Sequence, residues 1–120
     1  MKGGNWMFKL LDNLKMLIGV KSDTKTLKLL EAASSTPNSC VVCANSVDAR
    51  HLVSIINEHN WDITVMTFNQ FINKEFKSTN IKAFYFADVD KMFKGLVHPK
   101  KIKMLSFNTD NIEYVKNDEE

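Results

Sequence analysis

Apolar positions along the chain change their spacing several times, and each change marks an element. Met7, Leu10, Leu11, Leu14, Leu17 and Ile18 recur at intervals of three and four, with Lys9, Asp12, Asn13 and Lys15 between them. That is the period of an amphipathic helix, so residues 1–18 are expected to form one, bounded by Gly3-Gly4 and Gly19. A second helix is expected from Asp23 or Thr24 to about Ala33, where Ser34 to Ser39, containing Pro37, cannot continue it. Cys40-Val41-Val42-Cys43-Ala44 is an almost uninterrupted apolar run, the mark of a strand covered on both faces and paired in parallel. Asn45 and Ser46 read as turn and cap of a helix over Val47 to His59, whose apolar face is Val47, Ala49, Leu52, Ile55 and Ile56.

The remainder alternates in the same way. Ile63 to Thr67 is β-branched and apolar enough for a second strand, Asn69 to Phe76 reads as a short helix carrying Phe71, Ile72 and Phe76, and Ile81 to Ala87 follows as a third strand. Asp88 to Phe93 starts another short helix that Gly95 should close, and Ile102 to Phe107 alternates as a final strand, with Ile112, Tyr114 and Val115 returning as a hairpin. Strands alternating with helices over short connections predict an α/β domain over 19–116, a mostly parallel sheet flanked by helices, followed by a frayed tail at 117–120.

Composition narrows this picture. The 120 residues, 44% apolar, suffice for one compact core and are too few for two ordinary domains. Sixteen basic against fourteen acidic residues, a net charge of +2, lack the excess that counterion release exploits, so wholesale coating of nucleic acid is not expected. No stretch reaches the roughly 20 apolar residues that span a bilayer, and Lys9, Asp12 and Lys15 interrupt any signal-like apolar region. Two cysteines make no disulfide framework. The expectation is a cytoplasmic protein without a membrane partner.

The most specific string is Gly19-Val20-Lys21-Ser22-Asp23-Thr24-Lys25-Thr26, followed at once by a helix. It fits the phosphate-loop pattern G-x-x-x-x-G-K-[ST] except at Thr24. In such a loop, backbone N–H groups cradle phosphate oxygens, the lysine neutralises the terminal phosphates and the hydroxyl binds Mg²⁺. Lys25 and Thr26 supply the last two groups and Gly19 the first glycine. Thr24 resists the backbone freedom glycine supplies, and Asp23 adds repulsion at the rim. Helical spacing upstream is a second difficulty, because only Met16-Leu17-Ile18 remains for the strand such a loop hangs from. A polar loop capping a helix through Asp23 or Thr24 explains the same residues.

Further along, Cys40 to Ser46, then Val65-Met66-Thr67-Phe68-Asn69-Gln70-Phe71, then Ala83-Phe84-Tyr85-Phe86-Ala87-Asp88-Val89-Asp90 follow in order. Taken with the loop, these strings resemble the first motor domain of superfamily 1 helicases, stripped down, over about Gly19 to Lys94. The resemblance implies a P-loop-like fold, a Walker B carboxylate at Asp88, and contacts to single-stranded nucleic acid at Asn45, Thr67 and Gln70. It also implies Mg-ATP or Mg-GTP as the ligand of Gly19, Lys25, Thr26 and Asp88. Departures argue against turnover: beside Asp88 stand Ala87 and Val89, so one acidic function is missing in either register, and Arg50, the sole arginine, lies on a helix face expected to be solvated. Phosphoryl transfer needs lysine, metal and oriented water together. No catalytic residues are therefore assigned. Small proteins of this pattern resemble accessory proteins of phages or other mobile elements, which implies a host protein of the replication or defence machinery as partner and the host cytoplasm as location.

Other candidates yield blander readings. Cys40 and Cys43 form C-x-x-C, but in a strand residues three apart point to opposite faces, so core thiols are expected and no metal site. His51, His59 and His98 have no convergent spacing. His98, Lys100, Lys101 and Lys103 are the densest basic segment, read as an edge strand guarded by lysine. Trp6, Met7, Leu10 and Leu14 on the first helix are the candidate partner-binding stripe, with packing on the sheet as the alternative.

Overall fold

The structure, a computed structural model, describes residues 14–19 and 23–116. Its elements run β1 (Met16–Ile18), α1 (Asp23–Ser34), β2 (Ser39–Cys43), α2 (Ser46–Glu58), β3 (Thr64–Thr67), α3 (Phe68–Ile72), β4 (Ala83–Phe86), α4 (Val89–Val97) and β5 (Ile112–Tyr114). The described residues form two compact units, one of 26–104 and one that joins 14–19 and 23–25 to 105–116. The architecture is α/β, and every strand pairing among the described residues is parallel.

In the larger unit the order is β3-β2-β4, with Val41 opposite Val65 on one side and Tyr85 on the other. The continuous apolar run of β2 is explained by this central place. Alternate residues serve two cores: Val41 and Cys43 pack with Leu30, Ala33, Leu52 and Ile56, while Cys40 and Val42 pack with Met66 and Met92. All of β2 is buried, and each large side chain so removed from water contributes about 2 kcal/mol.

The first core is mostly aliphatic and is roofed by α1 and α2. The second is aromatic, with Phe71 edge-on to Phe84 and Phe86 at centroid distances of 5.2 and 4.9 Å and stacked on Phe76 at 5.3 Å. The chain moves from β2 outward to β3, then back past β2 to β4. Right-handed crossovers in opposite directions place their helices on opposite faces, as found for α2 and α3.

In the smaller unit β1 pairs with β5, Met16 opposite Ile112 and Ile18 opposite Tyr114, and the Lys15 ammonium lies 2.7 Å from the Glu113 carboxylate. Two expectations are corrected here. Helical spacing continues through Ile18, yet Met16–Ile18 is extended, because its backbone bonds to β5 replace the bonds a helix would make. Ile102 to Phe107 belongs to no strand; alternation alone, without a partner ladder, leaves it irregular, and Ile112–Tyr114 pairs in parallel with β1 instead of turning back as a hairpin. Most of the expected N-terminal helix, with Trp6, Met7 and Leu10, lies outside the described residues, while Leu14 is exposed. Gly95 falls inside α4, which runs on to Val97.

Candidate functional site

Sequence patterning left open whether a strand precedes Gly19, and one does: β1 ends at Ile18 just before Gly19, and α1 begins at Asp23. Gly19 is required here by close approach, since a Cβ would collide with the carbonyl oxygen of Val115. The next residue's pairing keeps that carbonyl in place, because the Val115 N–H donates to Ile18 O at 2.7 Å. From the first turn of α1, the Lys25 ammonium reaches back and donates to Gly19 O at 3.0 Å. The lysine and the first glycine of the pattern therefore meet. Asp23 in the same turn complements the helix dipole. Thr26 stands one position on, half-buried.

The other predicted residues lie at the carboxyl edge of the three-stranded sheet. Asn45 follows β2, Thr67 ends β3 and Asp88 follows β4, and each is the N-cap of the next helix. Asn45 Oδ1 accepts from the Asp48 N–H at 2.9 Å. Thr67 and Gln70 make a reciprocal capping box, with the Thr67 N–H donating to Gln70 Oε1 at 2.8 Å and the Gln70 N–H to Thr67 Oγ1 at 3.3 Å. The oxygens expected to meet nucleic acid thus satisfy helix N-termini. Asp88 differs: it sits at φ 58 and ψ 57, in the left-handed region, and its side chain caps nothing.

Between β2 and β4 the chain's direction in the sheet reverses, the place where open α/β sheets form a crevice beyond their strand ends. An ion pair crosses it. Lys91 Nζ in the first turn of α4 lies 2.8 Å from Asp48 Oδ2 in the first turn of α2. The hydrogen bond to Asp48 raises the Lys91 pKa, and the nearby Asp88 charge adds to that rise. Sequence reasoning passed over both residues because 43 positions separate them and neither belongs to a motif. Their signal is topological, since first turns of helices on neighbouring parallel strands lie side by side.

Cys40 and Cys43 are buried free thiols in opposite cores, as their spacing predicts, and desolvation pushes each up to about 11. They are inert, not reactive, sulfurs. His51 and Arg50 are exposed on α2, His59 stacks on Trp61 at 4.2 Å, and His98 is the C-cap of α4, so the histidines do not converge. Among the described residues no group of three His, Cys, Asp or Glu could hold a metal, and no helix is long and apolar enough to cross a membrane. No family model, no curated protein and no solved structure matches this chain.

Proposed function

We propose that the protein is a degenerate phosphate-loop α/β protein that acts by binding and not by nucleotide turnover. The observation that carries this reading is the ammonium of Lys91, held by Asp48 and close enough to Asp88 to feel its charge. Asp88 is the carboxylate that the resemblance assigns to a metal after β4, with Ala87 before it and Val89 after. A cation fixed beside it opposes a divalent ion electrostatically, and without that ion phosphoryl transfer loses its main source of charge stabilisation. Thr24 in the place of the loop's last glycine works in the same direction. The partner is then a protein, and the resemblance to mobile-element accessory proteins suggests one of the host cell's replication or defence machinery.

A second reading, nucleotide binding without efficient hydrolysis, is favoured by the contact of Lys25 with Gly19, which sets a cation between the end of β1 and the start of α1. Melting curves with and without millimolar Mg-ATP or Mg-GTP separate the two. The proposal expects no phosphate release above the blank and, for wild type and Lys25→Ala alike, a melting temperature that does not move with nucleotide concentration. A wild-type rise of several degrees that Lys25→Ala abolishes would replace it with the second reading, because a ligand that binds only the folded state stabilises it by mass action.

A further inference from the structure

We infer, against the expectation of no membrane partner, that α4 and the segment following it to Met104 form a docking surface for an anionic lipid bilayer. The charge distribution is the first observation. Lys91, Lys94, Lys100, Lys101 and Lys103 fall within thirteen residues, and no Asp or Glu stands between Asp90 and Asp110. Asp90 is the one acid on this surface, and the rest of the chain carries the other eleven basic residues against thirteen acidic ones, a net charge of −2 on a protein whose total is +2. Lys91 is engaged by Asp48, which leaves Lys94, Lys100, Lys101 and Lys103, all on exposed residues, as the cations of the surface.

The second observation is the apolar content of the same surface. Met92 anchors α4 in the aromatic core, yet Phe93, Leu96 and Val97, which share the adjoining stripe of the helix, are exposed, Leu96 by 55%. Beyond the helix, Ile102 is exposed and Met104 is 87% exposed. These side chains are open to solvent to different degrees, Met104 the most. They suit a fluid acyl boundary, which needs no preformed complement, while flanking lysines reach anionic headgroups. A nucleic acid would satisfy the lysines and leave Leu96, Val97, Ile102 and Met104 in water.

The test is co-sedimentation of the full chain with vesicles of phosphatidylcholine containing about one third phosphatidylglycerol, against vesicles of phosphatidylcholine alone. Binding is expected to the anionic vesicles, to weaken with salt, and to fall roughly a hundred-fold in the triple variant Lys100→Glu, Lys101→Glu, Lys103→Glu. Leu96→Ser with Met104→Ser should lower it roughly ten-fold with the melting temperature unchanged, since both side chains are exposed. Lys25→Ala should bind as wild type, so this surface stands or falls separately from the phosphate-loop reading. Failure to bind anionic vesicles, full binding by the Leu96/Met104 variant, or equally tight binding of polyglutamate or of a single-stranded oligonucleotide would each overturn the proposal, the last two assigning the lysines to an acidic protein or to nucleic acid.

Discussion

The turn after β2 and the turn after β4 stand side by side at the ends of neighbouring parallel strands, and they are built to different rules. After β2, Asn45 is extended and its side chain caps α2, a helix of 13 residues whose Leu52 and Ile56 are buried. After β4, Asp88 takes a left-handed backbone, caps nothing, and starts a helix of nine residues whose single buried side chain is Met92. One turn spends its polar side chain on stability; the other holds a carboxylate in a conformation L-residues rarely adopt. Strain of this kind persists where surrounding structure over-determines it, and it concentrates at functional positions.

The largest effect that would probe this contrast comes from the anchors. Leu52 is 4% exposed and Met92 3%. Truncating either to alanine should destabilise the protein by about 3 kcal/mol in denaturant titration, as for comparable buried side chains. The two should nevertheless differ in local behaviour. Leu52→Ala leaves α2 held by Ile56, Ala49 and Ile55, whereas Met92→Ala removes the one fully buried contact of α4. Amide exchange in α4 should therefore rise in Met92→Ala by more than global stability accounts for. Equal protection in the two helices would mean that α4 is held by contacts other than Met92.

Smaller, and opposite in sign, are changes at the two caps. Asn45→Ala should cost about 1 kcal/mol, the usual loss of a side-chain cap. Asp88→Gly should instead stabilise by about 1 kcal/mol, since glycine adopts φ 58 without penalty and no cap bond is lost. Thermal melting of both variants checks the pair. A destabilised Asp88→Gly would show that the carboxylate supports α4 through its charge in the first turn.

Much of this was legible beforehand for a physical reason: burial on both faces makes β2 a continuous apolar string, and the three-residue interval between Cys40 and Cys43 already separates their sulfurs. The expected turn and cap at Asn45 and Ser46 also stands where strand and helix patterns meet, with Asn45 the cap. What was not legible depends on partners far along the chain. Met16-Leu17-Ile18 follows helical spacing and becomes a strand because residues 112–114 offer it a ladder. Ile102 to Phe107 alternates and stays irregular. Periodicity describes one side of an interaction, and for a three-residue strand the other side decides. Gly19 and Lys25 were legible as a motif, but their contact through the backbone carbonyl was not.

The smallest effect concerns the ion pair that joins the two turns. Asp48 and Lys91 retain 27% and 38% side-chain exposure, so solvent screens them, and a double-mutant cycle with Asp48→Asn and Lys91→Met should return a coupling of about 0.5 kcal/mol. Its pH dependence has a definite sign. The Lys91 pKa is raised in the folded state above the ordinary 10.5, so its stabilisation is complete below that value and is lost as pH rises through the higher folded one. Cys40 and Cys43, raised from 9.0 to about 11, also make the protein less stable as pH climbs between those values, and because the Lys91 charge draws Cys43 down, Lys91→Met suffers this loss slightly more than wild type. The difference between the two proteins should therefore not shrink between neutral pH and about 10, and should be lost only above it. A difference that already fades near pH 9 would show that the bridge between the turns is not its source, since the Cys43 contribution has the opposite sign and can only widen the difference there.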